Sequence, residues 1–126
     1  MQTKKTELDS ITDDGTRAIG WNKTGELLAV GDNERQLTIF DNIGQFLKQI
    51  DTQQKGFVGL DWHPDENLIM TVEEKISIYD FETENLKDIE DSDEDILMLC
   101  VAWHPNGEFF VTADYCDFVN KYSPLL

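Results

Sequence analysis

A stretch of 14 residues occurs three times in this chain of 126 residues. Each copy has a tryptophan at the same place, at Trp21, Trp62 and Trp103, so both spacings are 41 residues. The copies cover residues 17–30, 58–71 and 99–112. A repeat of this length predicts three copies of one structural unit, and it constrains the fold more than any other feature of the chain.

Each copy opens with the alternation that is typical of a β-strand. In the first copy Arg17, Ile19 and Trp21 lie on one face, and small residues lie on the other. Small residues suit an innermost strand, where neighbouring sheets crowd around a central axis. The tryptophans are then expected to pack between neighbouring sheets. A turn follows each tryptophan, and Asn106-Gly107 is the clearest of the three turn signals.

Further strands follow in each copy. Continuous apolar runs predict central strands covered on both faces, at 27–30, 68–72 and 109–113. Third strands are expected at 37–41 and 76–80, and outer strands of mixed polarity at 46–50 and 86–89. A period of 41 residues with about four strands fits a propeller blade of roughly 40–45 residues.

Two short motifs point to a family. The turns Trp62-His63-Pro64-Asp65 and Trp103-His104-Pro105-Asn106-Gly107 are similar to a Trp-Ser-Pro-Asp-Gly turn, and Ile39-Phe40-Asp41 and Ile78-Tyr79-Asp80 to a closing Ile-Trp-Asp. The chain therefore resembles WD40-repeat proteins from residue 15 to residue 112. The resemblance implies an all-β fold of three four-stranded antiparallel propeller blades. Its structural repeat positions are Trp21, Trp62, Trp103, Asp41 and Asp80.

The resemblance is incomplete in two places. The family's Gly-His dipeptide is absent, since Thr12, Gln53 and Glu94 occupy the His positions, so these blades should depend more on apolar packing. After the third apolar run, residues 114–123 are expected to form a long loop, and Pro124 to begin a third strand.

The repeat also predicts the organisation of the chain. We expect an N-terminal edge strand, at residues 4–8, and a linker within residues 1–15. WD40-like blades follow at 16–54 and 55–94, with an incomplete third blade at 95–126. Propellers typically close with about four to eight blades, so three blades form an incomplete ring with open edges.

The charge of the chain excludes some partners. There are 26 acidic and 10 basic residues, a formal charge of −16, which repels phosphate backbones and anionic lipids. Nucleic acid and membrane surfaces are therefore not expected as partners, whereas basic protein segments are.

The first residues lack an apolar signal region, the longest apolar run is too short to span a bilayer, and the two cysteines suggest a reducing compartment. We expect a cytoplasmic protein.

Propellers resembling this one bind partners on loops between second and third strands and between blades. Here those loops cover residues 9–16, 32–35, 51–56, 73–75, 90–95 and 114–123, which contain 15 of the 26 acidic residues and four basic ones. The candidate partner-binding residues are Asp91, Asp93, Glu94, Asp95, Asp114, Tyr115, Phe118 and Tyr122. Two simpler interpretations stay open: loops are polar in any protein, and the aromatic residues could cap the third blade.

No metal, cofactor or catalytic site is predicted. Asp91, Asp93 and Asp95 have the spacing of three calcium-loop ligands, but Ile96 and Ala102 stand where the loop needs Gly and Glu. His63 and His104 occupy equivalent turns, which suggests a shared structural role. An enzyme would need a catalytic constellation, and Asp61 is the one carboxylate expected toward the central channel.

The residues favour a non-catalytic protein–protein interaction scaffold with an acidic loop face. A different interpretation is a self-assembling element, in which residues 4–8 complete the third blade of a second copy and two chains close a six-bladed ring. A third is a fragment of a longer propeller. A propeller hydrolase would depend on Asp61 alone.

Overall fold

The computed structural model describes residues 2–5, 16–32, 36–52, 59–72, 76–89, 98–114 and 118–123. This part of the chain contains eleven β-strands and no helix. The strands are β1 (Thr16–Trp21), β2 (Leu27–Asp32), β3 (Gln36–Asp41), β4 (Phe46–Asp51), β5 (Gly59–Trp62), β6 (Leu68–Val72), β7 (Ile76–Asp80), β8 (Asn85–Ile89), β9 (Met98–Trp103), β10 (Phe110–Asp114) and β11 (Val119–Tyr122). The all-β prediction is confirmed.

The strands form three antiparallel meanders. Sheet 1 has the order β1-β2-β3-β4, sheet 2 the order β5-β6-β7-β8, and sheet 3 the order β9-β10-β11. Each sheet lies within one of the predicted blade ranges. Contacts between sheets run from β1 to β5 and from β5 to β9, so the first strands of the sheets lie side by side and sheet 2 is in the middle.

The third sheet corrects one prediction. Residues 114–123 do not form a long loop, because β11 lies inside this range and pairs with β10 from Phe110↔Tyr122 to Ala113↔Val119. The backbone N–H of Asp114 donates to the carbonyl of Phe118 at 3.1 Å, which closes a short hairpin. The polar residues of β11 hid this strand in the sequence.

The N-terminal prediction is corrected in part. Lys4 and Lys5 lie outside any strand, so an edge strand does not begin at residue 4. Residues 6–8, which complete the predicted strand, lie outside the described part of the chain.

The strand register builds a row of large side chains across each sheet. In each sheet the tryptophan of the first strand lies directly opposite a residue of the second strand. That residue lies opposite one of the third strand, so these side chains share one face of the sheet. We call these sets the tryptophan rows: Trp21-Leu28-Phe40-Phe46, Trp62-Ile69-Tyr79-Leu86 and Trp103-Phe110-Tyr122.

The other face of each sheet carries a second row. It begins with the residue before the tryptophan and ends in lysine. We call these sets the lysine rows: Gly20-Ala29-Ile39-Lys48, Asp61-Met70-Ile78-Lys87 and Ala102-Val111-Lys121.

The core consists of tryptophan rows packed on lysine rows of the preceding sheet. Trp62 is 5% exposed and belongs to one buried cluster with residues of both sheet 1 and sheet 2, namely Ala18, Ala29, Leu37, Ile39, Ile69 and Tyr79. Its indole N–H donates to the carbonyl of Gly20 at 2.9 Å. Burial of a side chain of this size contributes about 2–3 kcal/mol.

The second interface repeats this arrangement between sheets 2 and 3. Trp103 is buried with Met70, Val72, Ile76 and Phe110, and its ring meets Phe110 edge to face at 5.0 Å. The expected packing of tryptophans between sheets is therefore confirmed for Trp62 and Trp103.

The residue after each tryptophan holds the first hairpin of its sheet. The side-chain oxygen of Asn22 accepts the N–H of Leu27 at 3.0 Å. His63 accepts the N–H groups of Asp65 and Glu66 on Nδ1, both at 3.1 Å.

His104 accepts the N–H of Asn106 on Nδ1 at 3.2 Å, so the two histidines share a structural role, as predicted. Because Nδ1 of His63 accepts, its Nε2 carries the proton and donates to the carbonyl of Gly107, 2.9 Å away. His63 therefore joins the turn of sheet 2 to the turn of sheet 3.

Gly107 is required at this junction for two reasons. Its φ of +76° lies in the left-handed region, and a Cβ there would be 2.6 Å from the His63 ring. Gly25 has nearly the same φ, +75°, with no atom within 4 Å of its Cβ position.

These two glycines make a matched pair for a stability test. We expect Gly25→Ala to lower the free energy of unfolding by about 1–2 kcal/mol through backbone strain alone. Gly107→Ala should cost about 1–3 kcal/mol more, because the His63 ring must move and its inter-sheet hydrogen bond is lost. Urea denaturation measures both, and equal losses would contradict the role of His63.

Candidate functional site

The two ends of the sheets differ in the connections that they carry. The meander order places the β2–β3 connection and the links between sheets at one end, which we call the rim end. The β1–β2 and β3–β4 turns, and their equivalents in the other sheets, lie at the opposite end, which we call the turn end.

Most of the predicted partner-binding residues belong to segments that the sequence assigns to the rim end. Asp91, Asp93, Glu94, Asp95 and Tyr115 lie outside the described residues. Their role in binding a partner stays a prediction.

Asp114 is committed to the fold of sheet 3. It is 5% exposed, and its Oδ1 accepts the N–H of Phe118 at 3.2 Å while its Oδ2 accepts the side-chain amide of Asn120 at 3.1 Å. Asp32 has the same position two repeats earlier and accepts the N–H of Gln36 at 2.9 Å. Asp32 follows Trp21 by the same number of residues as Asp114 follows Trp103, and this equal spacing is the sequence signal for a shared role in the hairpin.

The structure places Phe118 and Tyr122 in different surroundings. Phe118 is 64% exposed and precedes Val119, which is 72% exposed. Tyr122 is half-buried and stacks on Phe110, with ring centroids 5.1 Å apart. Phe118 is available for a partner, whereas Tyr122 contributes to the packing between sheets 2 and 3.

The turn end is also acidic, which was not predicted from the sequence. The described turns contain one base, Lys23, and eight acids: Glu26, Asp41, Asp65, Glu66, Asp80, Glu82, Glu84 and Glu108. A cleft of about 610 Å³ lies between the turns of sheets 1 and 2, and Asp65, Glu66, Asp80 and Glu82 line it. A larger groove of about 900 Å³ separates sheets 2 and 3 beside Trp103 and Tyr122.

Several turn-end carboxylates already have partners within the protein. Asp41 accepts the N–H groups of Ile43 and Gln45 at 3.0 and 2.8 Å. Asp80 accepts those of Glu82 and Thr83 at 2.9 and 3.2 Å. Asp41 and Asp80 therefore stabilise turns, which fits their place as structural repeat positions.

Two lysines of sheet 1 form ion pairs with acids of sheet 2. Lys23 contacts Asp65 at 2.5 Å, and this hydrogen bond lowers the pKa of the Asp65 carboxyl. Lys48 pairs with Glu84, which lowers the pKa of Glu84 and raises that of Lys48. All four side chains are at least partly exposed, so solvent screens these pairs and each contributes little to stability.

Asp61 contacts the next sheet through its side chain. Its Oδ2 accepts the backbone N–H of Trp103 at 2.8 Å, so the carboxylate joins sheets 2 and 3 instead of standing free in a channel. Burial raises the pKa of Asp61, although hydrogen bonds from the N–H groups of Trp103 and Trp62 oppose the shift.

The described residues offer no site for a metal. Within these ranges no three His, Cys, Asp or Glu side chains are grouped so that they could hold an ion. The same ranges contain no helix that is long and apolar enough to cross a membrane.

Asp61 generates a pH prediction. Its raised pKa means that the folded chain holds the proton more tightly than the unfolded chain, so stability falls as the pH rises from the unfolded pKa through the folded one. Asp61→Asn removes this charge and keeps an oxygen for the N–H of Trp103. We expect the variant to be more stable than wild type at pH 7, with the advantage lost near about pH 3.

Urea denaturation between these pH values measures the difference. Asp61→Ala serves as the control, because it leaves the N–H of Trp103 unpaired and should be about 1–3 kcal/mol less stable than Asp61→Asn throughout. An Asp61→Asn variant less stable than wild type at pH 7 would contradict the cost of the buried charge.

Comparison with known proteins agrees with this architecture. The chain is similar to a chain in the crystal structure of the mitotic checkpoint complex, with a TM-score of 0.73 and 21% sequence identity. The similarity covers 88% of this chain and 36% of that one, so this chain spans about a third of the length of its structural neighbour. None of the curated proteins is similar enough to count as a relative.

A family model identifies the chain more directly. The model described as eukaryotic translation initiation factor eIF2A matches residues 1–117, which is nearly the whole sequence. Together with the three sheets packed side by side, this match confirms the prediction of WD40-like propeller blades. The chain belongs to the eukaryotic translation initiation factor eIF2A family.

Proposed function

We propose that this chain is a non-catalytic protein-interaction scaffold that binds basic segments of partner proteins on its acidic rim end. The observation that carries the proposal is the distribution of charge. The segments assigned to the rim end from the sequence contain 15 of the 26 acidic residues against four basic ones, and 13 acids are left when the buried Asp32 and Asp114 are set aside. A surface of this kind attracts lysine- and arginine-rich segments and speeds their encounter with the protein.

The fold supports a binding role over a catalytic one. Propeller sheets provide a rigid support for loops, and such loops commonly carry binding residues. Asp61, the carboxylate expected near the centre, is hydrogen-bonded to Trp103. The charge of −16 also disfavours direct contact with a nucleic acid backbone. If the chain takes part in translation initiation, as its family's description suggests, it would do so through proteins.

Phe118 supports the rim end as the binding face. It is 64% exposed and adjoins the exposed Val119 beside the hairpin that Asp114 closes. Exposed aromatic residues next to charged loops commonly provide the central contacts of an interface. The preferred partner segment therefore combines basic residues with an apolar side chain.

The second acidic surface, at the turn end, supplies a matched control. The rim variant carries Asp91→Asn, Asp93→Asn, Glu94→Gln and Asp95→Asn, and the control carries Glu26→Gln, Glu66→Gln, Glu82→Gln and Glu108→Gln. Each removes four negative charges, and the four control side chains are exposed. The total charge of the two variants is therefore the same.

Binding to a lysine- and arginine-rich peptide that contains one leucine tests the proposal. We expect the rim variant to bind at least about tenfold more weakly, since four exposed ion pairs contribute about 1–4 kcal/mol together. The control should change affinity by less than about threefold, and added salt should weaken binding in every case. Fluorescence anisotropy gives the affinities. Equal losses in both variants, or no binding by wild type, would refute the rim as the site.

A further inference from the structure

One turn of the chain contains the dipeptide Asn-Gly. Of the seven asparagines, Asn106 alone is followed by glycine, and each of the others precedes a larger side chain. Because glycine has no side chain, the backbone nitrogen of Gly107 is the least shielded nucleophile beside any asparagine of the chain. Asn106 is exposed and lies in the β9–β10 turn.

Hydrogen bonds around Asn106 hold this turn closed. The N–H of Gly107 donates to the carbonyl of His104 at 2.8 Å, and the N–H of His104 donates to the carbonyl of Phe109 at 2.9 Å. Oδ1 of Asn106 accepts the N–H of Glu108 at 2.9 Å, the bond that an asparagine side chain commonly makes to the backbone two residues on. The Gly107 nitrogen and the Asn106 side-chain carbonyl are therefore both engaged while the turn is closed.

The same turn is fastened to sheet 2 through Gly107. His63 donates from Nε2 to the carbonyl of Gly107 at 2.9 Å, and the His63 ring meets Trp103 edge to face, with centroids 4.7 Å apart. The ring fits there only because residue 107 has no side chain, since a Cβ would lie 2.6 Å from it. The position of the Gly107 backbone therefore decides whether the turns of sheets 2 and 3 stay joined.

We propose that Asn106 is a site of spontaneous deamidation, and that the modification unfastens the turn of sheet 3 from sheet 2. The reaction needs a local opening that releases the Gly107 nitrogen from His104. That nitrogen loses its proton and attacks Cγ of Asn106, the bond from Cγ to the side-chain amide nitrogen breaks, and ammonia leaves with the proton. Water then opens the cyclic imide, at Cγ to give aspartate or at the main-chain carbonyl to give isoaspartate.

The two products have different effects on the turn. Aspartate fits, because Asp65 occupies the same place in the equivalent turn of sheet 2. In isoaspartate the chain runs through Cβ and Cγ of residue 106, which adds a methylene group to the backbone and leaves an α-carboxylate beside it. Gly107 is then displaced, and its carbonyl no longer meets His63. Closing the turn again does not undo the change, because a covalent bond has moved.

Peptide mapping by mass spectrometry tests the site and the protection. Wild type is incubated at mildly alkaline pH, folded and in guanidinium chloride, and each asparagine is followed over time. We expect Asn106 to be converted first, and at least about tenfold more slowly in the folded chain because the reaction waits for the turn to open. Equal rates in the folded and the unfolded chain would overturn the protection, and faster conversion of another asparagine would overturn the site.

His63→Asn tests the fastening between the sheets. Asn22 holds the first hairpin of sheet 1 through its own side chain, so asparagine can hold the equivalent turn of sheet 2, but it is too short to reach Gly107. We expect conversion of Asn106 to become about threefold to tenfold faster, which corresponds to the loss of one hydrogen bond.

Lys23→Gln is the matched control for His63→Asn. It removes an ion pair between the turns of sheets 1 and 2, so it should leave the rate at Asn106 unchanged. Circular dichroism checks that both variants fold. Equal rates in wild type and His63→Asn, or equal acceleration in the control, would overturn the role of His63.

The stability of the product tests its effect on the turn. Conversion adds a negative charge, so ion exchange separates the modified chain, and fragmentation distinguishes isoaspartate from aspartate. We expect the isoaspartate chain to have a folding equilibrium constant at least about tenfold below that of wild type in urea denaturation. Fresh Asn106→Asp is the matched control, since it has the same charge and should stay within about threefold of wild type. Equal stability of modified and fresh chains, or an equal loss in Asn106→Asp, would overturn the proposal.

Discussion

The packing of Trp62 against Gly20 is the contact on which this structure depends. A sheet of three or four strands with two apolar faces is not stable alone, because each face needs a neighbour. Gly20 lets the indole approach the backbone of sheet 1, and the hydrogen bond at 2.9 Å satisfies the buried N–H. The rest of each tryptophan row then covers the lysine row beneath it.

The contact between neighbouring sheets differs between the two interfaces. At the second interface Asp61 stands in the place of Gly20, and its carboxylate accepts the backbone N–H of Trp103. Within the described part of the chain the indole nitrogen of Trp103 is buried without a hydrogen-bond partner. The second interface therefore replaces an indole-to-carbonyl bond by a carboxylate-to-backbone bond. The burial of a charged group is the physical cost of that exchange.

Much of the fold could be predicted from the sequence because its signals are local and repeated. Alternation around Trp21, Trp62 and Trp103 located the first strands, and the apolar runs located the central ones. The strand β11 was not predicted because its apolar residues do not follow its burial. Val119 is exposed whereas Asn120 is half-buried, so the sequence of this strand resembles that of a loop. Only pairing with β10, which is not local, defines this strand.

The candidate site was less predictable than the fold. Charge can be counted from the sequence, but its arrangement depends on which turns meet at each end of the sheets. Asp41, Asp80 and Asp114 count as negative charges in the sequence, and in the structure they accept backbone N–H groups of their own hairpins. The acidity of the turn end became evident only when the turns of three sheets were placed side by side.

The position of sheet 2 between two neighbours has a consequence for how the chain opens. Its tryptophan row and its lysine row each pack against a neighbouring sheet, whereas sheets 1 and 3 each pack against one neighbouring sheet only within the described part of the chain. In a one-dimensional stack of this kind, stability is approximately a sum of contributions from single units and from the interfaces between them. Amide protection against hydrogen exchange should therefore be graded, with its maximum in the middle unit.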